Sequence, residues 1–165
     1  MKTTILFFAL AIFSIHAIAQ DDEDDKTFKF GLGGTLSIPL GDLKLSTTYG
    51  VGFEATGVYS FSEDIAGFAQ AGVNVFKGKS DFGSDASLLN IPVLVGARYK
   101  VNGFFIGAGV GYGRFSSSTT SLGGFSYSPQ IGYDLGKLQI LLHYTSTTVT
   151  GGSLSYVGLK AFRTF

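Results

Sequence analysis

The chain has 165 residues, a formal net charge of zero, no cysteine, and 24 glycines beside 16 phenylalanines and 8 tyrosines. That length is one domain's worth; zero net charge leaves no field to recruit nucleic acid, and the lack of cysteine excludes a disulfide framework or a thiolate metal site. Charged residues are only 15% of the chain against 45% hydrophobic, yet no apolar run beyond the N-terminus is long enough for a membrane helix, so a helical membrane protein is excluded.

Lys2 supplies a positive start, residues 5–13 an apolar stretch, and Ala17-Ile18-Ala19 a small-residue cleavage site before Gln20. This pattern predicts a signal peptide over residues 1–19, with Ala17 and Ala19 marking its processing site. No cysteine stands at that site, which excludes lipoprotein anchoring. The acidic run Asp21, Asp22, Glu23, Asp24 and Asp25 follows at once. Adjacent like charges repel and stay solvated, so residues 20–27 read as a periplasmic spacer rather than a calcium or partner site.

From Phe28 onward the sequence divides into eight segments readable at period two. The first, 28–38, sets Phe28, Phe30, Leu32, Leu36 and Ile38 against Lys29, Gly31, Gly33, Thr35 and Ser37. The second, 49–61, sets Tyr49, Val51, Phe53, Ala55, Tyr59 and Phe61 against Gly50, Gly52, Glu54, Thr56 and Ser60. The third, 65–76, opposes Ala69, Ala71, Val73 and Val75 to Gln70, Gly72 and Asn74. The fourth, 89–100, opposes Leu89, Ile91, Val93, Val95 and Tyr99 to Asn90, Gly96 and Arg98. Pro92 interrupts it, because proline brings no N–H to the ladder; a bulge near the strand end is the expected accommodation.

The fifth segment, FFIGAGVGYGR at 104–114, is the most telling. Phe104, Ile106, Ala108, Val110 and Tyr112 share one face, while Gly107, Gly109, Gly111 and Gly113 share the other. Glycine weakens a strand, so four in a row need a reason. A small closed barrel supplies one: the glycine face curves into a crowded interior, leaving room for polar side chains of neighbouring strands. On that reading any residual lumen is widest at this strand.

The sixth segment, 125–135, opposes Phe125, Tyr127, Ile131, Tyr133 and Leu135 to Ser126, Ser128, Gln130, Gly132 and Asp134. The seventh, 138–145, opposes Leu138, Ile140, Leu142 and Tyr144 to Gln139, His143 and Thr145. The eighth, 153–165, places Val157, Leu159, Ala161 and Phe165 outward and Gly158 and Lys160 inward. Short turns at 62–64, 101–103 and 136–137 alternate with longer polar stretches at 39–48, 77–87, 116–124 and 146–152. Three turns on one side and four loops on the other predict an all-β, eight-stranded antiparallel up-and-down transmembrane β-barrel, with both termini at the periplasmic rim.

A soluble sandwich also alternates, with its apolar face turned inward. Here the apolar face ends in aromatic residues at both levels: Tyr49, Tyr112 and Tyr127 at one, Tyr59, Phe61, Tyr99, Phe104 and Tyr133 at the other. Two such girdles fit the two interfaces of a membrane. The opposite face mixes glycine with Glu, Arg, Gln, Asn and Asp, a set too small and polar to cover a sandwich.

The signal peptide, the LNIPVLVGARY stretch, the glycine-alternating fifth segment and the closing YVGLKAFRTF resemble the small porin-like outer-membrane β-barrel family, of the OmpX and OmpA-barrel type. The likeness covers residues 28–165, with Arg163 standing where a hydrophobic residue is often found. It implies residence in the cell outer membrane among outer-membrane lipid and lipopolysaccharide. It also implies that the terminal Phe165 is the signal read by the barrel-assembly machinery during biogenesis. The family is functionally diverse, so it does not by itself assign a role.

The interior polar residues are the constellation of substance: Glu54, Gln70, Gln130, His143 and Lys160 at similar depth, with Arg98 and Asp134 nearer the periplasmic rim. An eight-stranded barrel is just wide enough to be filled by side chains, and buried charges there must pair. The expectation is a structural network that plugs a non-enzymatic barrel of structural or surface-interaction role, with a narrow channel for small solutes as the alternative. His143-Tyr144-Thr145-Ser146 superficially resembles the His-x-Ser stretch of outer-membrane lipid A deacylases. Thr145 takes the serine's place there, no glutamate follows Glu63, and parity turns His143 inward, away from lipid. Asp81 and Asp85 read as parts of an exposed polar loop rather than a cation site. No cofactor or metal site is expected, and any surface ligand is unspecified.

Overall fold

A computed structural model describes residues 28–79, 87–118 and 120–165. The expected leader, the acidic run, Asp81 and Asp85 lie outside the described residues. The elements in chain order are β1 (Phe28–Leu40), α1 (Gly41–Ser46), β2 (Thr47–Ser60), β3 (Ile65–Gly78), β4 (Ser87–Val101), β5 (Phe104–Ser116), β6 (Ser121–Asp134), β7 (Leu138–Val149) and β8 (Gly152–Thr164). Each strand pairs antiparallel with its sequence neighbours, and β8 closes on β1. Closure satisfies every strand edge, which hydrocarbon requires. The last residue joins it: the Phe165 N–H donates to the Phe30 carbonyl at 2.8 Å.

Alternation translates directly into facing. Along β5, Phe104, Ile106, Ala108, Val110 and Tyr112 are exposed on the outside, and the girdle residues at both levels are exposed with them. Following paired residues once round, from Arg98 through Gly107, Gln130, His143, Gly158, Ser37, Gly50 and Phe76, returns to β4 at Leu88, ten residues from the start. That offset is the barrel's shear, and it decides which inward side chains meet. Arg163 faces outward in register with Leu32 and Leu138, its guanidinium 5.5 Å from the Phe165 ring centroid, so the last strand holds its register.

Two expectations are corrected. The stretch 116–124 is mostly strand, because β5 and β6 stay paired up to Ser116 and Ser121; 146–152 is likewise paired up to Val149 and Gly152. Serine, threonine and glycine look like loop residues, but at these positions they satisfy ladder hydrogen bonds, and threonine suits a strand. Pro92 makes no bulge: β3 and β4 share one register on both sides of it, and only the pairings opposite Pro92 and Ile91 are missing. The ladder skips the absent N–H instead of shifting. On β5 the glycines leave room for side chains of neighbouring strands, as expected. A Cβ at Gly107 would fall 2.7 Å from Arg98 Cγ, one at Gly109 3.0 Å from the Phe68 ring, and one at Gly113 2.5 Å from the hydroxyls of Ser126 and Thr147. Bulky or polar neighbours occupy the space those residues leave open.

At the turn end, Asn102 (φ 51°) and Gly103 (φ 83°) make a two-residue hairpin turn with both residues in the left-handed region, which twists with the strands it joins. At the loop end, residues expected as an irregular loop form the one-and-a-half-turn helix α1, which folds over the mouth. Its Leu43 is fully buried against Phe76, Phe115 and Tyr156. Two further apolar clusters lie toward the turn end: Val58, Ala66 and Phe68, and Phe105, Leu141 and Phe162. The barrel interior is thus layered, apolar at both ends and polar between.

Candidate functional site in the barrel interior

The structure divides the expected interior set into separate groups. Glu54 on β2 and Lys160 on β8 flank β1, and Lys160 Nζ sits 2.6 Å from Glu54 Oε2 with both side chains 2% exposed. The second carboxylate oxygen accepts from Asn74 Nδ2 at 3.2 Å. In a pair this deeply buried, each group replaces the water the other has lost.

Arg98 forms the second group. Its Nη1 donates to Gln139 Oε1 at 2.8 Å and its Nη2 to Gln130 Oε1 at 3.0 Å, and Gln130 Nε2 donates to Gln70 Oε1 at 3.5 Å. The guanidinium lies 4.5 Å from the ring centroids of both Phe68 and Phe105. Among the described residues it has no ion-pair partner; two amide oxygens and two ring faces take that place.

His143 stands apart. Its Nδ1 is 3.0 Å from Thr145 Oγ1, which is 2.9 Å from Ser128 Oγ, and its ring meets Tyr156 edge-on at 5.6 Å. Tyr156 in turn donates to Asn90 Oδ1 at 3.1 Å. Asp134 belongs to the rim, where it pairs with Lys29 at 3.3 Å and accepts from the Gly136 N–H at 2.9 Å. Asn74, Gln139, Asn90, Thr145 and Tyr156 join these groups although they were not candidates. Inward parity was the available signal for most of them; their cross-barrel partners depend on shear.

On the outer face, Tyr144 OH donates to Ser155 Oγ at 3.1 Å, which donates to Ser146 Oγ at 2.9 Å. His143 therefore points inward while Ser146 points outward, with the β7 backbone between imidazole and hydroxyl. Among the described residues no three His, Asp or Glu side chains gather to hold a metal.

No curated protein sequence matches the chain significantly. Solved structures do match in fold. Ail, the attachment invasion locus protein of Yersinia pestis, aligns with a TM-score of 0.55 at 17% identity, covering 87% of this chain and all of that one. Neisserial surface protein A aligns with a TM-score of 0.56 at 12% identity over 86% of this chain and 98% of its own. The N-terminal β-barrel domain of Pseudomonas aeruginosa OprF gives 0.52 at 7% identity, with 87% and 100% covered. The family model for the outer membrane protein beta-barrel domain matches residues 5–161. A closed barrel of eight strands with an apolar, aromatic-rimmed exterior and this match together establish that the chain belongs to the outer membrane protein β-barrel family.

Proposed function

We propose that the protein is a non-conducting, non-enzymatic barrel of the outer membrane with a structural or surface-interaction role. The observation that carries this reading is the way inward side chains interlock with glycines. The Phe68 ring leans over Gly96 and Gly109, Arg98 stacks between Phe68 and Phe105, and the Phe105 ring lies where a Cβ at Gly132 would fall, 2.6 Å away. Interlocked groups of this kind, with the Glu54–Lys160 pair above them, oppose a continuous water column. The separation of His143 from Ser146 speaks against a hydrolytic site.

The loop end faces the cell exterior in this reading, with export by the N-terminal signal peptide and assembly directed by Phe165. Outer-membrane lipid and lipopolysaccharide surround the apolar exterior. Because the β5–β6 and β7–β8 connections are tight, α1 is the largest described feature presented outward, and Leu45 on it is exposed. Single-channel recording in planar bilayers tests the proposal: a silent membrane is expected, and stable unitary openings overturn it. A lipid A modification assay on the purified barrel is expected to show no product.

A further inference from the structure

Of seven buried side-chain polar atoms without a hydrogen-bond partner among the described residues, four lie on neighbouring register rows toward the loop end: His143 Nε2, Ser37 Oγ, Thr35 Oγ1 and Asn74 Oδ1. Register brings them together. Gly158 is paired with both His143 and Ser37, and a Cβ on it would come within 2.6 Å of His143 Nε2 and 2.9 Å of Ser37 Oγ. Thr35 is paired with Lys160 on one side and with Gly52 on the other, and Gly52 is paired with Asn74. Buried groups of this kind are normally satisfied by protein or by ordered water, so four in this layer of neighbouring rows mark a place where something else hydrogen-bonds.

The two ends of this layer are closed differently. Toward the turn end stand Phe68, Phe105, Leu141, Phe162 and Arg98, all rooted in strands. Toward the loop end the closure is α1, which inserts a single fully buried side chain, Leu43. The helix has no side-chain cap at its start, is entered through Gly41 at φ +52° with open space around it, and leaves through a register shift between Thr47 and Tyr49. Few bonds tie the segment to the strands: a bridge between Gly41 and Leu154, and the Lys79 N–H donating to the Ser46 carbonyl at 3.0 Å, both of which must break for it to open.

We propose that this layer is a hydrated compartment that admits small uncharged hydrogen-bonding solutes from the loop end, with α1 as its door. The solute class follows from the lining. Lys160 and Glu54 cancel each other, and what remains unsatisfied is two hydroxyls, an imidazole nitrogen and an amide oxygen. This goes beyond the non-conducting reading and is compatible with it, because the compartment is closed at the turn end.

The chain contains no cysteine, so one introduced thiol reports access. Ser37→Cys in the full-length barrel, reconstituted in nanodiscs, is treated with methyl methanethiosulfonate, which is small and neutral, and in parallel with its trimethylammonium-ethyl analogue. The neutral reagent should react at least tenfold faster than the cationic one, and adding Leu43→Gly should raise its rate at least tenfold. Gln139→Cys, within the Arg98 layer that closes the turn end, should show no acceleration. Leu43→Ala is carried alongside, and heat-modifiable gel migration verifies folding of each variant. Equal rates with and without the Leu43 change, equal rates for the two reagents, or matching acceleration at position 139 overturn the proposal. Conductance in planar bilayers separates this outcome from the fate of the non-conducting reading: acceleration at position 37 in a silent membrane supports both.

Discussion

Lys160–Glu54 and Lys29–Asp134 are the same two chemical groups in two settings. The first pair is 2.6 Å apart with both side chains 2% exposed; the second is 3.3 Å apart with 40% and 20% exposed. The rim pair can exchange its partner for water at little cost, whereas neither member of the buried pair can. Removing one partner therefore strands a buried charge in the middle of this barrel, and costs little at its rim.

Substitutions at the two pairs, read from urea unfolding of the refolded barrel, test this difference. Glu54→Ala leaves the Lys160 ammonium buried and alone, and should cost about 3–5 kcal/mol. An unchanged midpoint would show that the buried pair is not structural. Combining Glu54→Gln with Lys160→Met removes both charges, and should restore most of the loss. Arg98→Ala strips two charge-assisted hydrogen bonds from Gln130 and Gln139 and should cost about 3 kcal/mol. Gly109→Ala presses a methyl group against the Phe68 ring, 3.0 Å away, and should cost about 1 kcal/mol, rescued in part by Phe68→Leu. Asp134→Asn at the rim should change stability by about 0–1 kcal/mol, and by less in high salt. A loss at Asp134 equal to that at Glu54 would erase the distinction.

Much of the fold was legible because period-two alternation is a local property. Each of Phe104 through Tyr112 declares its face from its immediate neighbours, and the turns at 62–64, 101–103 and 136–137 carry their own chemistry. Legibility failed where residue type misleads about pairing: Ser121 to Gly124 and Ser146 to Val149 look like loop but complete strands. It failed also for α1, since a six-residue helix in a short connection has no amphipathic period long enough to read.

For the interior, the seven candidates all belong to the inward face, yet their grouping was not readable. Glu54 finds Lys160 across β1, and Arg98 finds Gln130 and Gln139, because the barrel closes with a ten-residue offset that no single strand encodes. The inward aromatics Phe76, Phe115 and Tyr156, which seat Leu43, likewise converge from three strands. The eight strands, their faces, the aromatic girdles and the kind of solvent on each side follow from side-chain alternation and hydrophobicity, which each segment carries locally. Which buried groups touch, which glycines make room for which rings, and how each end is closed emerge only in the assembled barrel. Those contacts depend on closure and shear, which arise when all eight strands are placed at once.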